Sequence, residues 1–264
     1  MNPDEYGIMR QQEETHWWYH TLRAAVLRHL LASLGEGASP RILDAGCGTG
    51  GMLSELRASL PRAELTGLDA DPQAVSITAA RQVANRVIRG SGNALPFRSG
   101  RFDAVLSRDV LCHASIVEAA AFGELARVVR PGGLLLLNLP AFEALRGAHD
   151  VAVHTARRYT PRRMAQLAAA NDLAVERWTC WNMILLPPFW AWRLAGRLTG
   201  SEASDLRPFP AWVNAGLSRL LRLEWRVADR VTLPVGSSLF AILRRSSEAA
   251  PLATVQAPPA VPMR

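Results

Sequence analysis

The feature that most limits how this chain can fold is "RILDAGCGTGG" at residues 41–51, a short apolar strand that runs into a glycine turn and then a helix. Such a turn opens a β-α-β unit, in which the next parallel strand is reached only through a crossover. The chain behind it keeps the alternation. "GMLSELRASL" reads as a helix, "AELTGLDA" as a second strand and "DPQAVSITAARQ" as a helix capped by Asp71 with Pro72 in its first turn. "NRVIRG" and "RFDAVLSR" are the third and fourth strands, "SIVEAAAFGELARVVR" is a helix, and "LLLLNLP" is the fifth strand after Pro131-Gly132-Gly133. This order predicts an α/β fold with a parallel sheet covered on both faces.

The flanks are less regular. "EETHWWYHTLRAAVLRHLLASL" carries apolar residues at helical spacing and stops before Gly35 and Gly37. After the fifth strand, "TPRRMAQLAAAN" reads as a helix, "LAVERWTC" as a sixth strand and "SSLFAILRR" as a seventh. Roughly 55 residues separate the last two strands, where a connection of about 4 to 6 is usual. The pattern divides the chain into an N-terminal helical cap at 1–35, an α/β core at 36–180, an aromatic-rich helical insertion at 181–235, the last core strand at 236–245 and a disordered tail at 246–264.

The insertion opens with "WNMILLPPFWAWRLAG", whose apolar run is broken by Pro187-Pro188 and by Arg193. A bilayer span needs about 20 uninterrupted apolar residues, so this stretch is expected to close over something apolar. Residues 211–230 read as an amphipathic helix that joins it. The expected role of the pair is a lid over an apolar acceptor, with a peripheral membrane contact or a homodimer contact as alternatives.

Composition narrows the partners. The formal charge is +7, and arginine supplies all 30 basic residues, but they are scattered and no zinc finger or RNA-binding signature accompanies them. No nucleic-acid partner is expected. Cys47, Cys112 and Cys180 are far apart and odd in number, which predicts neither a disulfide framework nor a metal site. The N-terminus has early acids and no apolar segment of signal length, so the expected location is cytoplasmic.

The glycine turn contains G-x-G-x-x-G at Gly46, Gly48 and Gly51, with Asp69 following 23 residues after Gly46, a spacing that also fits a dinucleotide-binding dehydrogenase. The discriminating residue on this reading is Asp44. A carboxylate beside the turn opposes a pyrophosphate and favours a ligand with an amino group and a positive sulfonium, which is S-adenosylmethionine.

Taken in order, "LDAGCGTG", "GLDADP", "GNALPF", "FDAVLSRDVLCH" and "LARVVRPGGLLLLNLP" resemble the class I S-adenosylmethionine-dependent methyltransferases, especially their small-molecule branch, over about residues 40 to 140. The resemblance implies a Rossmann-like, seven-stranded, mostly parallel sheet with helices on both faces. It implies that Asp44, Gly46, Gly48 and Gly50 lie against the methionine part of the cofactor, that Asp69 takes the ribose hydroxyls and that Ala70 packs on adenine. Asn93 stands where the family often has an acid near the adenine amino group, with Ala94 beside it, and Arg108 is placed at the cofactor edge.

Methyl transfer from a sulfonium is a direct displacement, so alignment and exclusion of water are the main tasks. A base helps when the acceptor is a hydroxyl or an acidic carbon, and His113, His154 and Tyr159 are the candidates. His16, Trp17, Tyr19 and Arg23 are placed to close the methionine end or the acceptor pocket, while Trp18 is expected to pack on the sheet edge. His16 and His20 lie one turn apart without a third ligand, so no metal is expected.

In "HTARRYTPRR", Thr160 and Pro161 read as the start of a helix surrounded by Arg157, Arg158, Arg162 and Arg163. Cations there oppose the helix dipole unless an anion sits among them. The alternative is that they meet solvent or scattered acids. The expected acceptor is therefore an apolar small molecule with an anionic head such as an isoprenyl phosphate or diphosphate. A lipid, quinone or polyketide-like natural product is the alternative acceptor. A non-catalytic cofactor-binding protein that docks on a membrane or partner is the alternative of another class.

Overall fold

The computed structural model describes residues 10–34, 39–147, 150–151, 153–187 and 209–247. Its elements in chain order are α1 (Trp17–Leu34), β1 (Arg41–Ala45), α2 (Gly51–Ser59), β2 (Glu64–Asp69), α3 (Pro72–Ala80), β3 (Arg86–Arg89) and β4 (Phe102–Arg108). They continue with α4 (Glu118–Val128), β5 (Val129–Pro140), α5 (Pro161–Ala169), β6 (Leu173–Trp181), α6 (Ala211–Ala228) and β7 (Ser238–Arg245).

The strands form one sheet of seven in the order β3-β2-β1-β4-β5-β7-β6. All neighbouring pairs are parallel except those made by β7, which runs antiparallel to both β5 and β6. The α/β sheet expected from the alternation, seven-stranded and mostly parallel as the resemblance implies, is the observed architecture. Its central strands are buried on both faces, as β1 and β5 show, which is why they read as continuous apolar runs.

Local chemistry sets the helix starts. Asp71 caps α3, its side chain accepting from Gln73 N at 2.8 Å, and Thr160 caps α5, accepting from Arg163 N at 3.2 Å. α4 begins at Glu118 and not at Ser115, because the Asn93 side chain holds the preceding backbone: it accepts from Val117 N and donates to Ser115 O.

Each face of the sheet has its own core. Phe102, Phe122, Leu125, Tyr159 and Met164 fill one, and Leu22, Leu30, Met52, Trp181, Trp225 and Phe240 fill the other. α6 belongs to the second. Trp225 packs against Trp181 and Phe240 with ring centroids 5.8 and 5.4 Å apart, and buried Glu224 accepts from the backbone N–H of Asn182 and of Ile184. α6 is tied to α1 by Asn214, which accepts from Trp17 N, and by Asp229, which pairs with Arg28. The helix expected to join a lid is thus built into the core layer. Residues 188–208, which complete the aromatic stretch, and almost all of the tail read as disordered lie outside the described residues. Among the described residues no helix is long and apolar enough to cross a membrane.

The chain leaves β1 in one direction toward β2 and later returns on its other side as β4. The crevice at the carboxyl ends of these two strands is where sheets of this kind take ligands.

Candidate functional site

The turn after β1 occupies that crevice. Gly46, Gly48 and Gly50 all have positive φ, at 84, 55 and 84°. A side chain at Gly46 would also meet Val110, since an added Cβ would lie 2.1 Å from Val110 Cγ2. The loop after β4 therefore closes on the turn, and only glycine fits there.

Four amides of the turn are spent internally. Gly46 N and Cys47 N donate to Leu68 O, Gly50 N donates to Cys47 O, and Gly48 N donates to Asp69 Oδ2 at 2.9 Å. A phosphate held by such a turn needs free N–H groups. What the turn offers is the Asp69 carboxylate beside it, whose Oδ1 accepts from Asp71 N. Carboxylate oxygens accept hydrogen bonds from hydroxyls and repel phosphate.

A cavity of about 1100 Å³ runs from this turn along the ends of β1, β2 and β4 to the inner side of α1 and the start of α6. Pockets for one ligand span roughly 300 to 1,000 Å³, so the space suffices for a cofactor with a second small molecule. Gly46, Gly48, Asp69, Ala70 and Arg108 line it on the turn side, and His16, Trp17, Tyr19, His113, His154 and Arg158 elsewhere. Trp18 lines it too, stacked on Trp181 at 5.7 Å. His16 Nε2, Ser107 Oγ, Arg108 Nε and Asn182 Oδ1 belong to lining residues and are buried without a hydrogen-bond partner among the described residues. Buried polar atoms are rarely left so, and a bound molecule or water would satisfy them.

Other expected site residues stand elsewhere. Asp44 is fully buried behind the turn and does not line the cavity; its Oδ2 accepts from Arg108 Nη2 at 2.9 Å. Burial pushes its carboxyl up and the guanidinium opposes that. Its Oδ1 is buried without a hydrogen-bond partner among the described residues. Gly50 faces Thr78 and Arg81 and serves the start of α2. Asn93 spends its side chain on the two loop contacts already described, and neither it nor Ala94 lines the cavity. Arg23 is buried next to Glu55, away from the cavity.

Three arginines of the cluster are also committed, while Arg162 is exposed and has no partner among the described residues. Arg157 Nη1 donates to the carbonyls of Leu111, His113 and Ile116, fixing the loop after β4, and is not a lining residue. Arg158 forms a two-point pair with Asp150, Nε to Oδ1 at 2.9 Å and Nη2 to Oδ2 at 3.0 Å, both side chains being buried. Arg163 pairs with Glu118. An anion among these guanidiniums would have to displace protein partners. Tyr159 is 1% exposed, donates its hydroxyl to Leu111 O at 2.9 Å, and has its pKa raised by burial, so it is a core residue and no base.

His113 lines the cavity, and burial holds its pKa below the usual value. His154 lies on the neighbouring loop at φ 55°, its carbonyl accepting from Ala114 N. A group absent from the sequence reading stands close by. Asp109, immediately after β4 and at φ 54°, lines the cavity, and burial raises its carboxyl to about 6 against the donation from Asn138. Asn138 Nδ2 donates to both of its oxygens, and Asn138 Oδ1 accepts from Trp181 Nε1 at 2.9 Å. The sequence signal is a carboxylate at a strand end, D in "SRDV"; its partner Asn138 lies on β5, and Trp181, which fixes Asn138, on β6.

Comparison with known proteins agrees with this geometry. Residues 43–137 match the family described as Methyltransferase domain. The chain is 35% identical over 179 residues to a ubiquinone biosynthesis O-methyltransferase of Methylocella silvestris, covering 59% of this chain and 65% of that one. It is 33% identical over 141 residues to a cycloartenol-C-24-methyltransferase of Oryza sativa subsp. japonica, covering 48% of this chain and 40% of that one. The matches thus span less than two thirds of these relatives. Among solved structures, the geranyl diphosphate C-methyltransferase from Streptomyces coelicolor A3(2) superposes with a TM-score of 0.57 at 16% identity, over 87% of this chain and 81% of that one, which shows a shared fold.

Proposed function

On the premise that this chain carries a methyltransferase domain of the class I S-adenosylmethionine-dependent type, we propose that it moves the cofactor's methyl group to an apolar, uncharged small molecule whose reacting atom gives its proton to Asp109. The observation that carries this reading is one continuous cavity that joins the Gly46–Asp69 turn to the Asp109 carboxylate and to an aromatic wall.

S-adenosylmethionine supplies a methyl on a positive sulfonium, open to direct displacement. The chain's residues would hold it through Asp69 at the ribose hydroxyls, with Gly46, Gly48 and Ala70 permitting close approach, all of them lining the cavity. Arg108 binds Asp44 through Nη2, borders the same space and keeps its Nε without a partner among the described residues. Trp17, Trp18 and Tyr19 present aromatic surface to an acceptor and exclude water from the reacting atoms. Asp109 has the requirements of a general base: it lines the cavity, is oriented by Asn138, and titrates near neutral pH. His113, whose side chain hydrogen-bonds the backbone of Val153, and His154 border the cavity too and stand second.

An uncharged acceptor is favoured over an isoprenyl phosphate or diphosphate because the arginines that would hold the anion are already paired or bonded to carbonyls. The ubiquinone-pathway relative, named for O-methylation, supports a hydroxyl acceptor of quinone-like or lipid character. The test is incubation of the full chain with methyl-labelled cofactor and phenolic or enolic apolar compounds, with mass spectrometry of the organic phase. Methylation of neutral hydroxyl acceptors is expected. Methylation confined to phosphorylated acceptors would reverse the substrate assignment, and labelling of nothing would favour a binding protein.

A further inference from the structure

α6 buries one side in the core and leaves the other side open. Along the open side, Trp212, Leu223 and Val227 are 78, 53 and 51% exposed, and at helical spacing they form one apolar stripe with Gly216. Arg219, Arg222 and Arg226 are exposed along one edge of that stripe, and Arg230 and half-exposed Val231 extend it beyond the helix end. The segment's carboxylates are elsewhere: Glu224 is buried against the backbone of Asn182 and Ile184, and Asp229 is paired with Arg28. None of these four arginines has a carboxylate partner among the described residues.

We propose that this face of α6 docks the protein on an anionic bilayer surface. An apolar stripe edged by unpaired cations, with a tryptophan at one end, fits the boundary between lipid headgroups and acyl chains: the apolar side chains enter it and the guanidiniums stay at the phosphates. A second copy fits less well, because a two-fold contact would bring the same arginines together with no carboxylate to meet them. Another side of the same helix borders the cavity, since Leu217 of α6 and the adjacent Phe209 line it. Docked in this way, the protein would hold α6, and with it one wall of the cavity, close to the lipid where apolar acceptors collect. Only this use of the surface rests on the methyl-transfer reading; the docking itself does not.

The experiment is co-sedimentation of the full chain with vesicles of phosphatidylcholine alone and of phosphatidylcholine mixed equally with phosphatidylglycerol, without cofactor or acceptor. The expected result is sedimentation with the anionic vesicles only, weakened by salt. Replacing Arg219, Arg222 and Arg226 by Gln is expected to weaken it about a hundredfold, from about a fivefold loss per cation. Trp212→Ala weakens binding with the charge unchanged, and unaltered melting curves confirm that both variants fold. Equal sedimentation with both vesicle types, or no difference between wild type and the triple variant, would overturn the proposal. So would the absence of vesicle binding combined with a dimer that the triple variant dissolves. A chain that sediments with anionic vesicles yet transfers no methyl would leave the docking standing and remove the enzymatic reading alone.

Discussion

Asn138 Nδ2 lies 3.1 and 2.9 Å from the two carboxylate oxygens of Asp109, and donates to a group that burial already pushes up to about 6. β4 and β5 create this relationship: Arg108 is in register with Asn138, so the residue that follows β4 meets the asparagine from β5. Trp181, from β6, fixes the asparagine by donating its indole N–H to Oδ1. The arrangement keeps a carboxylate oriented and titrating near neutrality, which a proton acceptor at physiological pH requires.

Asp109→Asn is expected to lower kcat by about 10²- to 10⁴-fold, the usual contribution of a general base, and to leave cofactor affinity unchanged. Steady-state kinetics with calorimetry of cofactor binding separates the two. In the wild type, kcat/KM should rise with pH through about 6 and level off as Asp109 loses its proton. Because donation from Asn138 lowers the Asp109 pKa, Asn138→Leu should shift that rise to higher pH.

Gly46→Ala is expected to prevent cofactor binding and to lower the melting temperature. A left-handed backbone costs a residue with a Cβ roughly 1–2 kcal/mol, and the new methyl would overlap Val110. Adding Val110→Ala should recover part of the melting temperature by removing the overlap, while the backbone cost remains.

Arg158→Ala should act on stability first. It leaves the buried Asp150 carboxylate without its guanidinium, a loss of roughly 3–5 kcal/mol for pairs of this kind. Denaturant melts should show the loss, and the KM for a neutral acceptor in the fraction that stays folded should change little. A rise in acceptor KM with unchanged stability would restore the anion site read from the arginine cluster.

Acid should unfold the protein in part through two histidines. Burial lowers both His16 and His29 to about 4 from 6.5, so the folded state binds fewer protons than the unfolded chain. Their contribution is complete above about 6.5 and is lost as pH falls through about 4, by roughly 3 kcal/mol each at most. Replacing both by Gln should flatten the fall in melting temperature between pH 7 and pH 5.

Much of the fold was legible because its signals are local. The glycine turn, the Asp71-Pro72 and Thr160-Pro161 helix starts and the apolar runs of β1, β4 and β5 all act within a few residues. Asp69 could be found for the same reason, sitting at a strand end a crossover away from the turn. What the sequence concealed depends on strands distant along the chain. Asp44 looked like a ligand contact, yet Arg108, 64 residues later, takes its charge. Asp109 is set apart only by Asn138, which β5 brings to it, and by Trp181 of β6, which bonds Asn138. The arginines around α5 suggested an anion, whereas the backbone carbonyls of the loop after β4 and a buried aspartate had claimed two of them. The insertion of β7 between β5 and β6 in reverse direction has no local marker either.

The most direct measurement is transfer of a labelled methyl from S-adenosylmethionine into an organic extract by the wild type and by Asp109→Asn, with cofactor binding measured on both proteins. The account predicts labelled product with the wild type, a loss of about a hundredfold or more with the variant, and equal cofactor affinity. A wild type that binds a nicotinamide dinucleotide in preference to S-adenosylmethionine, or a variant as active as the wild type, would contradict it.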